Sequence, residues 1–425
     1  MAKRTATKTK ERFWNRHHHL KHLLIGLAVI ILLITGWTLI AQVRSSMRQS
    51  DLQPFYNTAG LPLKGELGQV VRQEPLGVNV EGGKGLRVLY RTQRADGSYT
   101  FSSGMIFIPD NTNAGTPRPV VAWAHGTLGL GDACAPSRTV SPVGNIAWVS
   151  TMLKNGWVVT ATDYAGFGTA GTQGYLVGGA EAHDVLNSVR AARHIPQAKA
   201  GVTFAIWGHS QGGNSALFSA HEAAAYAPEL QLVSTVASAP AAELVSLLNE
   251  QYGTVADWVI GPLIATSWPA VNNSLSNTGI LTEDGLNNYQ KIANHCIARA
   301  TIAGLIRNTF DQKFFSKNPI DVPAWRAMAE AQSAPLPTAG QPLLVVESKT
   351  DKVVLPDTTA LYIQQACRVD NNIATLWLDK AAHQDIPDKS AGQVINWLGD
   401  RFAGKANGPS CNEPLPFKPA AMPPG

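Results

Sequence analysis

Six short apolar runs constrain the fold of this 425-residue chain more than any other feature: residues 120–124, 157–160, 202–207, 230–236, 343–346 and 374–378. Each is apolar nearly throughout, where a strand with one wet face would alternate. Helical patterns at 146–153, 181–192 and 212–226 lie between several of them. Apolar strands alternating with helices predict an α/β fold, a mostly parallel sheet with helices on both faces. Residues 85–94 and 100–108 do alternate, around Ala95-Asp96-Gly97-Ser98, and read as a β-hairpin. A last amphipathic helix is expected over 390–402.

One long stretch breaks the alternation. Residues 240–335 hold helical patterns and loops but no convincing strand. They carry Trp258, Leu263, Ile264, Trp268, Ile302, Leu305, Ile306, Phe310, Phe314 and Phe315. The stretch is too long for one crossover connection. A helical cap inserted over the C-terminal edge of the sheet is therefore expected, in preference to two further core helices.

The run 202–207 leads into Gly208-His209-Ser210-Gln211-Gly212, and an Ala-rich helical pattern follows. Strand, G-x-S-x-G, helix is the nucleophile elbow, a turn so tight that only glycine fits beside the serine. The five-residue pattern alone is weak; its position between strand and helix gives it weight. A serine nucleophile needs a base, and the base needs an orienting carboxylate. In enzymes built on this elbow the chain order is serine, acid, histidine. Only His221, His295 and His383 follow Ser210. His221 falls on the helix after the elbow and His295 in the expected cap. His383 follows the last strand, on a loop able to reach the sheet edge, and is the expected general base. The acid should leave the preceding strand, which makes Asp351 the choice and Glu347 the runner-up. Asp385 is too close in sequence to His383.

An oxyanion hole needs two fixed donors. The N–H of Gln211, next after the nucleophile, is one; the loop at Gly126 and Thr127, after the run 120–124, supplies the other. His125 precedes Ser210 and is not expected to act as base. His209 is expected to pack beneath the elbow. Asp163 reads as a polar support for the oxyanion loop rather than as the catalytic acid.

The net charge of +5 is unevenly spread. Lys3, Arg4, Lys8, Lys10, Arg12, Arg16 and Lys21 face only Glu11 within residues 1–22, so the remainder is close to neutral. A basic composition of this kind does not point to nucleic acid. It marks a cytoplasmic flank to the uncharged run 23–41, which is long enough as a helix to cross a bilayer. An uncleaved signal anchor is expected, with a cleaved signal peptide and secretion as the alternative; Leu39 is a poor partner for Ala41 in a cleavage site. Either way the chain from Gln42 onward lies outside the cytoplasm. His17, His18, His19 and His22 read as part of the flank. Cys134, Cys296, Cys367 and Cys411 allow three pairings into two disulfides. No Cys or His spacing suggests a metal site.

Five motifs, in one order, give the chain a likeness: "AWAHGTLGLGDACAPS", "ATDYAGFGTAGTQGYLVGGAEAHDVLNSVRAAR", "GHSQGG", "SKTDKVVLP" and "HQDIP". Together they resemble the secretory lipase family of α/β-hydrolases, over about residues 55–415. The resemblance implies an α/β-hydrolase core with a helical cap, carboxylic ester or lipid substrates and no cofactor. It places a triad on Ser210, Asp351 and His383. It also implies disulfides Cys134–Cys296 and Cys367–Cys411. The expected organisation is a basic flank (1–22), the anchor (23–41), a spacer (42–75), a core (76–239 and 336–404), the cap (240–335) and a Pro-rich tail (405–425). The expected activity is serine-dependent hydrolysis of carboxylic esters outside the cytoplasm. An acyltransferase using the same triad, or a non-catalytic binding protein on the same fold, are the alternatives.

Overall fold

A computed structural model describes residues 42–424 apart from 111–116, 145, 147 and 407, together with Gly36 and Ile40. The basic flank and nearly all of the expected anchor lie outside the described residues. Among the described residues, no helix is long and apolar enough to cross a membrane. The chain divides into Met1–Pro54, where residues 42–54 are helical, and Phe55–Gly425.

The larger unit is built on a nine-stranded sheet ordered β1-β2-β3-β5-β4-β6-β7-β8-β9. The strands are β1 (Val70–Pro75), β2 (Gly83–Gln93), β3 (Tyr99–Pro109), β4 (Arg118–Ala124), β5 (Val158–Thr162), β6 (Ala200–His209), β7 (Gln231–Ser238), β8 (Leu343–Ser348) and β9 (Ile373–Leu378). Pairing is antiparallel from β1 to β5 across β2 and β3, and parallel from β5 through β4, β6, β7 and β8 to β9. The loops that leave β4, β6, β8 and β9 therefore all emerge at one edge. Each of the six apolar runs coincides with a strand, those at 157–160 and 230–236 beginning one residue before it, and the hairpin is β2–β3.

Successive side chains of a strand point to opposite faces. Val121, Trp123, Ala205 and Trp207 join one core, with helices α1 (Val149–Lys154) and α11 (Ile386–Phe402). Val120, Ala122, Phe204 and Ile206 join the other, with α2 (Gly178–Arg193) and α3 (Gln211–Tyr226). Both faces are dry, which is why these strands read as continuous apolar runs. On the first face the rings of Trp123, Trp148 and Trp207 pack with centroids 4.3–5.3 Å apart. The Trp207 indole donates to Ser238 Oγ at 2.9 Å, so its one polar atom is paired.

Between β7 and β8 the chain forms helices α4 (Leu244–Gln251), α5 (Ala256–Val259), α6 (Gly261–Val271), α7 (Glu283–Ala293), α8 (Ile297–Thr309) and α9 (Pro323–Gln332). Its only strand-like pairing is an isolated bridge, Leu281 to Phe315. Trp258, Leu263, Ile264, Trp268, Phe314 and Phe315 are buried, whereas Ile302, Leu305, Ile306 and Phe310 are exposed. Helix α10 (Pro356–Val369) follows β8. The Pro-rich tail lies along the surface: Ser410 N donates to Ile373 O, and Ala420 N to Asp357 O.

Two elements depart from the sequence reading. Val70–Pro75 lies in the expected spacer yet is edge strand β1. Its composition, Val-Val-Arg-Gln-Glu-Pro, is that of a strand paired on one side only, with Glu74 bound to Arg87 of β2. Helix α10 has no counterpart among the expected helices, because Pro356 and two threonines mask its period.

The disulfides are Cys134–Cys296 and Cys367–Cys411. They close 162- and 44-residue separations. Chain entropy makes the longer closure worth more, by about 1 kcal/mol. Replacing Cys134 and Cys296 together with serine should lower urea-unfolding stability by about 3–5 kcal/mol, and the Cys367/Cys411 pair by about 1 kcal/mol less. Equal or inverted losses would contradict this ordering.

Candidate active site

Ser210 sits between β6 and α3 with φ 57° and ψ −118°, a conformation a side-chain-bearing residue adopts at a cost of about 1–3 kcal/mol. The surroundings hold it there. Ser210 N donates to Ser238 O at 2.9 Å, and Ser210 O accepts from Asn214 N and Ala241 N. The two glycines of the elbow are dictated by contact. A Cβ on Gly208 would lie 1.8 Å from Gly212 O, and one on Gly212 would lie 2.0 Å from Ala124 O. Only bare backbone lets α3 start this close to β4 and β6.

His383 opens a short 3-10 turn after β9. Its Nε2 lies 2.9 Å from Ser210 Oγ, and its Nδ1 lies 2.6 Å from Asp351 Oδ2. Asp351, on the loop after β8, also accepts from Val353 N at 2.8 Å. All three side chains are buried. A serine hydroxyl, an imidazole and a carboxylate thus form one hydrogen-bonded line.

The other acidic and histidine candidates are placed elsewhere. Glu347 accepts from Ser348 N and Thr359 Oγ1, both at 2.6 Å. Burial, then the neighbouring Asp351 charge, holds its carboxyl well above the usual range. Asp351, not Glu347, is the carboxylate within hydrogen-bond distance of His383 Nδ1. Asp385 is exposed beside Lys389. His221 is exposed on α3, and His295 sits between α7 and α8. Burial lowers the affinity of His125 for a proton, and its Nδ1 lies 2.7 Å from Gly126 O. Asp163 accepts from Ser137 N at 2.9 Å and Ser103 Oγ at 2.7 Å, and so fixes the turn that follows Cys134. It has no bond to the Ser210 line.

The loop at Gly126 runs against the elbow. A Cβ there would lie 3.1–3.3 Å from His209 and Ser210. Thr127 Oγ1 lies 2.8 Å from the Tyr175 hydroxyl. Gln211 opens α3, so its N–H has no acceptor within the helix.

Three supporting bonds were not legible in the sequence. His209 was expected beneath the elbow, but not the bond its Nε2 donates to His383 O at 3.0 Å. Burial, then proximity to His383, keeps it neutral, so one ring nitrogen can donate and carry no charge. Ser348 Oγ donates to Ala381 O and accepts from Ala381 N, both at 2.9 Å, tying the end of β8 to the His383 loop. Glu181 of α2 is buried and accepts from Leu176 N at 3.0 Å and from Gln211 Nε2. Ser215 Oγ lies against its other oxygen. These roles depend on distant segments meeting, which no local spacing announces.

Beside Ser210 and His383 opens a cavity of about 200 Å³. Its walls are mainly apolar, among them Leu244, Leu247, Val259, Ile264 and Trp268 from α4–α6. The arrangement provides a hydroxyl poised beside an imidazole, with Thr127 and Gln211 lining the same largely apolar chamber. No group of three or more potential metal-ligating side chains occurs among the described residues.

Burial pushes the Glu181 carboxyl up to about 8 from an ordinary 4.5, against the lowering effect of its hydrogen bonds. The protonated acid can donate to Ser215 Oγ, which leaves the Ser215 hydroxyl to donate to Gln211 O at 3.0 Å. A carboxyl raised on folding keeps a proton that the unfolded chain releases. Its stabilisation is complete below pH 4.5 and is lost as pH rises to about 8. Glu181→Gln retains an amide of the same shape that cannot ionise. It should flatten the fall of Tm across that interval. An unchanged Tm profile would show that Glu181 is ionised throughout.

Residues 134–409 match the profile of a family described as secretory lipase. A secreted triacylglycerol lipase of Malassezia globosa is 23% identical over 91% of this chain and 88% of its own length. A probable inactive lipase of Mycobacterium tuberculosis is 22% identical, covering 75% of this chain and 74% of that protein. Among solved structures, Candida antarctica lipase A in its closed state superposes with a TM-score of 0.69 at 16% identity, over 86% of this chain and 89% of that one. A mutant of the rice cell wall degrading esterase LipA from Xanthomonas oryzae gives 0.68 at 16% identity, over 79% and 100%. The fold is that of the α/β-hydrolases, and with its profile match spanning well over half its length, the chain belongs to the secretory lipase family.

Proposed function

We propose that this protein is a serine-dependent carboxylic ester hydrolase that works outside the cytoplasm through an acyl-enzyme. The observation that carries the proposal is the line from Ser210 Oγ through His383 to Asp351, opening on an apolar cavity. Ser210 Oγ attacks the acyl carbonyl carbon while His383 Nε2 takes its proton. The tetrahedral oxyanion accepts from the N–H of Gln211 and from the loop at Gly126 and Thr127. Thr127 Oγ1 can accept from the Tyr175 hydroxyl, and in that arrangement its own hydrogen can turn towards the oxyanion. As the intermediate collapses, the ester C–O bond breaks and His383 returns the proton to the departing alcohol. Water then attacks the acyl-enzyme, His383 takes its proton, and the acid leaves as Ser210 regains its hydrogen. Asp351 holds the imidazole and stabilises its charged form without being protonated itself.

The helices between β7 and β8 act in this reading as a cap, with Leu247, Ile264 and Trp268 receiving the acyl chain. The relative in Malassezia is a secreted triacylglycerol lipase, which supports lipid esters as the substrate class. One relative is named as a probable inactive lipase. The intact Ser210–His383–Asp351 line speaks for activity in this chain. Two disulfides support a place outside the cytoplasm, and the uncharged run 23–41 with its basic flank supports a tether there.

A panel of esters graded from acetate to long acyl chains, given to the full chain, tests the proposal. Ser210→Ala should lower kcat at least ~10³-fold, His383→Ala nearly as much, and the double variant little more, since the two act as a unit. Retention of most activity by Ser210→Ala would refute it.

A further inference from the structure

Helix α8 is built the wrong way round for a helix of a water-soluble surface. Its inward face is small: Ala300 and Gly304 are buried, and a Cβ on Gly304 would lie 3.1 Å from Trp258 Cβ. Its outward face is large and apolar. Ile302, Leu305, Ile306 and Phe310 are 59%, 50%, 55% and 74% exposed, at the i, i+3, i+4, i+8 spacing of one helical stripe. Scattered exposed apolar residues need no explanation, but four side by side on one stripe do.

The position of α8 says what the stripe faces. Ile297 and Thr301, on the first turns of the same helix, line the cavity of Ser210. Cys134–Cys296 and the bond from Ile297 N to Leu128 O fix that end of the helix beside the oxyanion loop. Anything docked on the stripe therefore lies beside the substrate chamber. The flanks say what charge the partner carries. Residues 291–317 contain Lys291, Arg299, Arg307, Lys313 and Lys317 against Asp311 alone, in a chain whose charge is near zero from residue 23 onward. Four of the five cations are exposed; Arg307, half-buried, pairs with Asp284. The cations gather in space as well as in sequence. His295 binds a proton less readily than an ordinary histidine, through desolvation and then the charges of Arg299, Lys291 and Arg307.

We propose that the outward face of α8 docks this protein on an anionic lipid surface, with Ile302, Leu305, Ile306 and Phe310 entering the acyl boundary and Lys291 and Arg299 meeting the headgroups. An apolar stripe flanked by cations is the chemistry of a helix that lies in a membrane interface, and anionic lipid adds to the attraction. The proposal deepens the ester-hydrolase reading, because the surface would present substrate at the chamber wall.

The test uses the full chain with Thr309→Cys, an exposed position on the same stripe, carrying a polarity-sensitive fluorophore. Phosphatidylglycerol vesicles should shift its emission to the blue, and phosphatidylcholine vesicles should do so much less. Adding Ile302→Ser, Leu305→Ser and Ile306→Ser together should abolish the shift. The same triple substitution should leave the rate on a dissolved short-chain ester unchanged and cut the rate on that ester held in anionic vesicles about tenfold. The proposal is overturned by an absent shift, by one that survives the triple substitution, or by one that grows with protein concentration without vesicles, which would make a second copy the partner. The emission arm needs no turnover. Loss of both rates in the parent protein with the shift intact would therefore refute the hydrolase reading and leave the docking face standing.

Discussion

The structure depends on one close approach of backbones, at Gly208 and Gly212 beneath Ser210. Gly212 packs on the carbonyl of Ala124, where a Cβ would lie 2.0 Å away, and Gly208 packs on Gly212. This contact starts α3 directly at the end of β6 and forces Ser210 into its positive-φ conformation. Strain of this kind persists only where the surroundings over-determine it. Here Ser238, Ala241 and Asn214 all hold the Ser210 backbone. The same contact brings the Gly126 loop against the elbow, so Ser210 and that loop are positioned by one feature.

Parallel pairing then gathers the rest. Because β4, β6, β7, β8 and β9 run the same way, Gly126, Ser210, Asp351 and His383 leave the sheet at one edge. Strand ends alone would leave the His383 loop free to swing. Ser348 ties it to β8, and neutral His209 ties it to the elbow. Buried polar groups are costly unless paired. Ser348 and His209 are paired, and each ties the His383 loop to a neighbouring segment. Glu181 does the same for the side chain of Gln211.

How much of this could be read from the sequence follows from the range of each signal. The buried strands were legible because a strand dry on both faces is apolar throughout. The elbow was legible because its glycines answer a local steric demand. Asp351 and His383 were legible from chain order and from their loops after strands, and the structure brings them together with Ser210. The disulfide pairing was open on spacing alone and rested on the family resemblance. Strand β1 was hidden because its polar sequence is that of a sheet edge, and α10 because Pro356, Thr358 and Thr359 mask its helical period. The roles of His209, Ser348 and Glu181 depend on contacts between residues 30 to 174 positions apart. No pattern within a window reports such contacts. Ile302, Leu305 and Ile306 show a further limit: helical spacing marks an apolar face, but only the packing of Gly304 on Trp258 shows that the face turns outward.

The central claim is that Ser210 is a nucleophile activated by His383. Reaction with a fluorophosphonate, followed by intact mass and peptide mapping, tests it most directly, since it reports the reactive atom without assuming a substrate. The account predicts a single adduct per chain, on Ser210, whose formation slows at least ~10²-fold in His383→Ala. No adduct on Ser210 in folded protein, or one that forms as fast without the histidine, would contradict it.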